Sequence, residues 1–244
     1  MIRIENVTKR YAGKVAVSSL SLHLKANEVF AFLGPNGAGK TTTIKMLNGL
    51  LRPDSGDIYI CDAHSVREAL KAKSVLGYVP DEPYLYDKLT GREFLQFVGQ
   101  LYEMPSEQIL QKIEELASLF ELHRFLDELS ENYSHGMKQR VVMSAALLHS
   151  PQILILDEPM VGLDPKNMNL VKRIIREFAS QNKCVFMSTH SLAVAEECAT
   201  RICILDQGKI RADGTLQELK RSLKDVHNNL EEVFLQITSE ESYP

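Results

Sequence analysis

Two short segments of this chain combine residue types suited to holding a phosphate chain and attacking its end. Residues 34 to 41 read Gly-Pro-Asn-Gly-Ala-Gly-Lys-Thr, the spacing G-x-x-x-x-G-K-[ST]. In such a loop Gly34, Gly37 and Gly39 let successive backbone N–H groups turn inward around phosphate oxygens, with Asn36 and Ala38 completing the turn. Lys40 brings a compact charge to the β- and γ-phosphates, and Thr41 offers a hydroxyl to Mg²⁺. A helix beginning there adds its positive end to the anion site. The second segment, Ile153-Leu-Ile-Leu-Asp-Glu, ends an apolar run in two carboxylates. Asp157 is placed to hold Mg²⁺, directly or through its water, and Glu158 to polarise an attacking water.

These groups need elements to carry them. The first 33 residues group apolar side chains in short runs (Ile2 and Ile4, Val15 and Val17, Leu20 to Leu24, Val29 to Leu33), which predicts strands. The glycine turn follows, then a helix with Ile44, Leu47 and Leu50 on one face, then a turn at Arg52 to Gly56. From Thr90 to Phe120 the pattern is helical, with Ser106 placed to cap a helix whose face carries Ile109, Leu110, Ile113, Leu116, Ala117 and Phe120. A helix at about 135–148 precedes the strand 153–156. A helix at about 166–179, a strand at 184–188 and a helix at 192–198 restore the alternation of a parallel sheet. The reading is an α/β core, 1–87 and 150–225, divided by a helical insert at 88–149. A short helix and a fraying tail are expected over 226–244.

Composition narrows the class. With 244 residues, 44% hydrophobic and 25% charged, the chain is long enough for one large domain or two small ones. Its net charge of −4 offers no basic excess for a nucleic-acid partner. The four cysteines, Cys61, Cys184, Cys198 and Cys203, form no CxxC pair and read as reduced core thiols. No apolar run approaches a membrane span, and the start MIRIENVTKRY lacks the apolar stretch of a secretory signal.

Between the two chemical segments lies Tyr133-Ser-His-Gly-Met-Lys-Gln-Arg140, just before an apolar helix. Here the chain resembles the ATP-binding cassette (ABC) ATPases, whose signature segment is LSGGQ. Ser134 and Gly136 match; His135 stands in place of the first glycine and Met137 in place of the glutamine. The resemblance covers about residues 1 to 220. It implies an α/β P-loop NTPase fold with an antiparallel β subdomain and an inserted helical subdomain. It implies that Ser134 and Gly136 bind the γ-phosphate of an ATP held by another subunit's P-loop, so that a homodimer or a second cassette completes each site. Tyr11 resembles the aromatic that stacks on adenine, and Thr42 the residue that touches the α-phosphate. Gly162-Leu-Asp164 resembles the D-loop that crosses to the partner, and His190 the switch histidine that reads the γ-phosphate.

One position departs from the family with consequence. In Gly77-Tyr-Val-Pro-Asp-Glu-Pro83, Asp81 occupies the place of the Q-loop glutamine, putting an acceptor-only carboxylate near Mg²⁺ and the γ-phosphate. Asp81 could join Mg²⁺ as a hard ligand, or be repelled by the phosphates, Asp157 and Glu158 until a permease pushes it in, or simply be solvated. The YSxGMKQR form of the signature, the segment GYVPDEPYLYDKLTGREFL and LEEVF at 230–234 look like the exporter branch, whose separate integral membrane permease carries about six spans. The resemblance thus implies an ATP- and Mg²⁺-dependent ATPase on the cytoplasmic face of the cell membrane. A regulatory cassette without its own transported substrate, or an importer ATPase, are the alternatives.

Overall fold

The computed structural model describes residues 1–222 and 230–239. Strands β1 (Ile2–Tyr11), β2 (Lys14–Leu24), β4 (Ser55–Ile60) and β5 (Ala63–His64) form an antiparallel sheet in the order β2-β1-β4-β5. The larger sheet takes β3 (Glu28–Leu33), β6 (Leu76–Val79), β7 (Ile153–Asp157), β8 (Cys184–Thr189), β9 (Arg201–Asp206) and β10 (Lys209–Gly214). Its order is β10-β9-β3-β8-β7-β6, parallel throughout except for the antiparallel edge strand β10.

The central strands are apolar because both of their faces are covered. Along β3, Phe30 and Phe32 point to one side with Phe186, ring centroids 5.2 to 6.1 Å apart, and pack toward the antiparallel sheet. Val29, Ala31 and Leu33 point to the other, joining Leu154, Leu156, Val185 and Met187 against the helices. A period of two within a continuous apolar run therefore fills two separate cores. Burying each such large side chain contributes roughly 1.5–3 kcal/mol.

Helix α1 (Lys40–Leu47) follows β3, and α2 (Ala69–Ser74) precedes β6. Helices α3 (Gly91–Leu101), α4 (Ser106–Leu119) and α5 (His135–Leu148) lie between β6 and β7. Thr90 caps α3 in a reciprocal pair with Glu93. Ser106 does not cap α4: Pro105 takes the cap position, since its fixed φ suits the helix entrance, and Ser106 becomes the first helical residue. Leu110 also leaves the expected face and is exposed. After β7 come α6 (Pro165–Ser180) and α7 (Leu192–Cys198), then α8 (Leu216–Ser222) and α9 (Leu230–Ser239) beyond β10. The helix expected near the C-terminus corresponds to α9; residues 226–229 and 240–244 of that expectation lie outside the described residues.

The register of the parallel strands sets the site. Leu33 of β3 is level with Thr189 of β8, Ser188 with Asp157 of β7, and Leu156 with Val79 of β6. Four chain segments therefore leave the sheet along one carboxyl edge, where open α/β sheets bind ligands.

Candidate active site

From that edge β3 runs into the glycine loop. Gly37 and Gly39 adopt φ of +83° and +110°, and Gly39 is the N-cap of α1. A Cβ on Gly39 would also meet the Ala16 carbonyl at 2.5 Å, so the position admits only glycine. A Cβ on Gly34 would lie 2.3 Å from the Leu205 carbonyl. Ala38 is buried beneath the loop. Asn36, Gly37, Gly39, Lys40, Thr41 and Thr42, with Ala16 of β2, line a cavity of about 260 Å³ at the helix start. Lys40 Nζ donates to the carbonyls of Gly34 at 2.6 Å and Pro35 at 3.2 Å. Burial holds the ammonium below its ordinary pKa, while Glu158 and Asp157 pull it back up.

β7 delivers the carboxylates. Asp157 is buried, and its Oδ1 accepts from the Ser188 hydroxyl. Burial raises its pKa; the Ser188 bond and Lys40 oppose this, and the charges of Asp81 and Glu158 add to it. Glu158 takes φ of +47°, sparsely populated for a residue with a Cβ, and its N–H points back to Ser188 O at 3.2 Å. Its Oε1 lies 2.9 Å from His190 Nδ1 at the end of β8. Asp81, two residues past β6, is exposed. Its charge also reaches Tyr78, whose hydroxyl burial pushes up to about 12.

The structure thus brings the glycine loop, Lys40, Asp157, Glu158, His190 and Asp81 to one edge. Tyr11 sits on the β1–β2 hairpin that supplies Ala16; the residue is 48% exposed, with the Lys9 ammonium 5.9 Å from its ring centroid. Ser134 and Gly136 do not line the glycine-loop cavity. Ser134 is the N-cap of α5, accepting from Met137 N–H at 3.3 Å, and a Cβ on Gly136 would meet nothing closer than Leu163 at 3.9 Å. Asp164 is the N-cap of α6, accepting from Asn167 N–H at 2.9 Å, a bond that lowers its pKa. Sequence reasoning missed Ser188. Its role depends on a register between strands 31 residues apart, and the only local signal was its place two residues before His190.

A strand, a glycine turn at a helix N-terminus and a buried aspartate ending a parallel strand one place removed, across β8, define a P-loop nucleotide triphosphatase. The ABC transporter family profile matches residues 17–161. An ABC transporter ATP-binding protein of Bacillus subtilis is 41% identical over 91% of this chain and 73% of its own length. The linearmycin resistance ATP-binding protein of the same species is 38% identical over 90% of the chain and 70% of its own length. The Nod factor export ATP-binding protein I of Paraburkholderia xenovorans is 36% identical over 87% and 70%. Among solved structures, an ATP-binding subunit of an ABC transporter superposes with a TM-score of 0.92 at 29% identity, covering 97% of this chain and 99% of the other. A dimeric ATP-binding cassette holding ADP and Pi gives 0.79 at 28% identity, covering 88% and 99%. The chain belongs to the ABC transporter family. It is an ATP-binding cassette ATPase, and among its described residues no helix is long and apolar enough to cross a membrane.

Proposed function

We propose that this cassette hydrolyses ATP with Mg²⁺ between its own P-loop and the Ser134–Gly136 segment of a second cassette, powering export through a separate membrane permease. The observation that carries the reading is Glu158, fixed at the carboxyl edge between the Asp157 strand end and His190. Tyr11 stacks on the adenine, Thr42 contacts the α-phosphate, and Lys40 leaves the Gly34 and Pro35 carbonyls to meet the β- and γ-phosphates. Glu158 accepts the proton of the attacking water, and His190 orients that carboxylate and meets the γ-phosphate. Ser134 and Gly136, at the N-terminus of α5, and Asp164 of the D-loop serve the neighbouring subunit's nucleotide.

The oxygen donors suit Mg²⁺. Asp157 is a buried carboxylate whose raised pKa a cation would reverse, Thr41 presents a hydroxyl, and Asp81 adds a hard ligand on the same edge. The ion, when bound, neutralises charge on the β- and γ-phosphates. Relatives named for linearmycin resistance, daunorubicin resistance and Nod factor export support the export direction. As such a subunit, the chain sits on the cytoplasmic face of the cell membrane, bound to its permease. The test is to seek a polytopic protein of about six apolar spans in the adjacent reading frames, co-purify it with this chain and measure ATPase in vesicles. Absence of co-purification together with ATPase unaffected by any polytopic partner would overturn the transport reading.

A further inference from the structure

Where the family has the first signature glycine this chain has His135, and the structure gives that side chain a partner. Its Nε2 lies 3.2 Å from the carbonyl oxygen of Val161. The N–H of the same Val161 donates to the carbonyl of Glu158, also at 3.2 Å. Two hydrogen bonds therefore run from the first residue of α5, through one residue, to the backbone of Glu158. The imidazole also lies directly on Gly162: a Cβ there would fall 2.6 Å from His135 Cδ2 and 3.0 Å from Nε2. Gly162 has φ of +72°, so space and backbone both require glycine opposite the ring. A glycine at position 135 could make neither contact.

The rest of the segment is tied to the same helix. Gln139, one turn along α5, donates to the Pro159 carbonyl at 3.5 Å. Lys166, early in α6, pairs with Glu121 at 2.8 Å, but both side chains are largely exposed and the pair adds little. The His135 bond is thus the shorter of two side-chain ties, with that of Gln139, between the signature helix and the turn that begins at Glu158. A carbonyl can only accept, so Nε2 carries the proton in this contact.

We propose that His135 is a positioning residue: through the Val161 peptide it holds the Glu158–Val161 turn, and so Glu158 itself, in register with the signature helix. The inference rests on Glu158 being the base. Because Glu158 sits at φ of +47°, its backbone has no broad well of its own to rest in, and an outside tie has leverage on its orientation. Displacement of α5 relative to the sheet is then felt at Glu158 of the same subunit, through a contact that a glycine-bearing signature lacks.

The experiment uses the full chain as His135→Gly, His135→Phe and His135→Gln. Gly removes the contact, Phe keeps a ring without the donor, and Gln keeps a donor at similar reach. Without nucleotide, hydrogen exchange is followed at the amides of Val161 and Leu163, whose bonds to the Glu158 and Met160 carbonyls report the turn. Loss of one partly exposed hydrogen bond predicts exchange faster by about three- to tenfold in the Gly and Phe variants. It also predicts kcat lower by a similar factor with KM for ATP within about twofold, and Gln restoring both. If Phe behaves as the wild type, or if exchange and kcat are unchanged in Gly, the proposal is overturned. Should Glu158→Gln retain full turnover, the base assignment fails instead, and the nucleotide-free exchange data still decide whether His135 holds the turn.

Discussion

Nδ1 of His190 stands 2.9 Å from Oε1 of Glu158, joining the ends of two adjacent parallel strands by one side-chain contact. The Glu158 side chain is only 14% exposed while that of His190 is 62% exposed, so the glutamate is the anchored member and the histidine the accessible one. Such a pair can hold a carboxylate toward a water molecule and still sense what arrives from outside. Glu158→Gln keeps the shape and removes the basicity. ATP binding is expected to persist within a few fold while turnover falls by about 10² to 10⁴. An ATP-stabilised dimer should then accumulate, visible by size-exclusion chromatography.

His190→Ala leaves the glutamate charged but unheld. Its expected effect is a fall in kcat of about tenfold or more, with the dimer still forming on ATP. Equal kcat in His190→Ala and wild type, measured at saturating ATP, would show that the contact does not position the base.

Lys40 spends its donors on the Gly34 and Pro35 carbonyls when no phosphate competes for them. Lys40→Ala removes a partly buried charge from a polyanion site and should weaken ATP binding by about tenfold or more, read by a fluorescent nucleotide. The loop should also exchange its amide protons faster, because two carbonyls lose their donor.

Ser134 has two jobs that different substitutions separate. Ser134→Arg abolishes both the cap of α5 and the reach toward a neighbour's phosphate. It should cost about 1 kcal/mol and roughly 2–4 °C in Tm while eliminating hydrolysis. Ser134→Asp keeps an N-cap acceptor, so Tm should stay near that of the wild type, yet its charge repels a γ-phosphate and hydrolysis should still be lost. Normal ATPase in the aspartate variant would remove Ser134 from the site.

Much of this site can be read along the chain because its parts are local. The glycine turn, the apolar run ending in Asp157 and the Ser134 cap are each complete within a few residues, and the 3.6-residue period predicts α6 and α7 nearly end to end. What depends on pairing is not legible in this way. The bond from Ser188 to Asp157 and the tie from His135 to Val161 need a register or a packing between distant segments. The hairpin β9–β10 was missed although Gln207 and Gly208, both at positive φ, form the two-residue turn that such hairpins favour. The β4 strand is half exposed and follows a turn-rich stretch, so its alternation is weak.

Asp81 adds negative charge where Asp157 is already hard to ionise. Asp81→Asn should therefore ease ionisation of Asp157 and Mg²⁺-free binding of ATP. If Asp81 is a ligand, the same change raises the Mg²⁺ concentration needed for half-maximal turnover, by about tenfold for one lost carboxylate. Titrating Mg²⁺ at fixed ATP, and ATP in EDTA, reads the two effects separately. A higher Mg²⁺ requirement is expected; tighter ATP binding with an unchanged requirement would assign Asp81 to repulsion alone.

His149, the residue that ends α5, stacks on Tyr102 with ring centroids 3.7 Å apart and an interplanar angle of 8°. Its Nε2 lies 3.0 Å from the Leu76 carbonyl, while Nδ1 is buried without a partner. Burial lowers its pKa to about 4, with the Leu76 bond opposing the shift. In the unfolded chain a histidine titrates near 6.5, so between about 6.5 and 4 the unfolded state binds a proton that the native state refuses. The stabilisation from a neutral His149 is therefore complete above about pH 6.5 and is lost as the pH falls through about 4. At about 1.4 kcal/mol per pH unit it amounts to no more than about 3.5 kcal/mol, less for the part of the ring that water reaches. Urea titrations of the wild type and His149→Gln between pH 7 and 4.5 test this. Stability of the wild type should fall more steeply over that range, and parallel curves for the two proteins would show that His149 is not the group responsible.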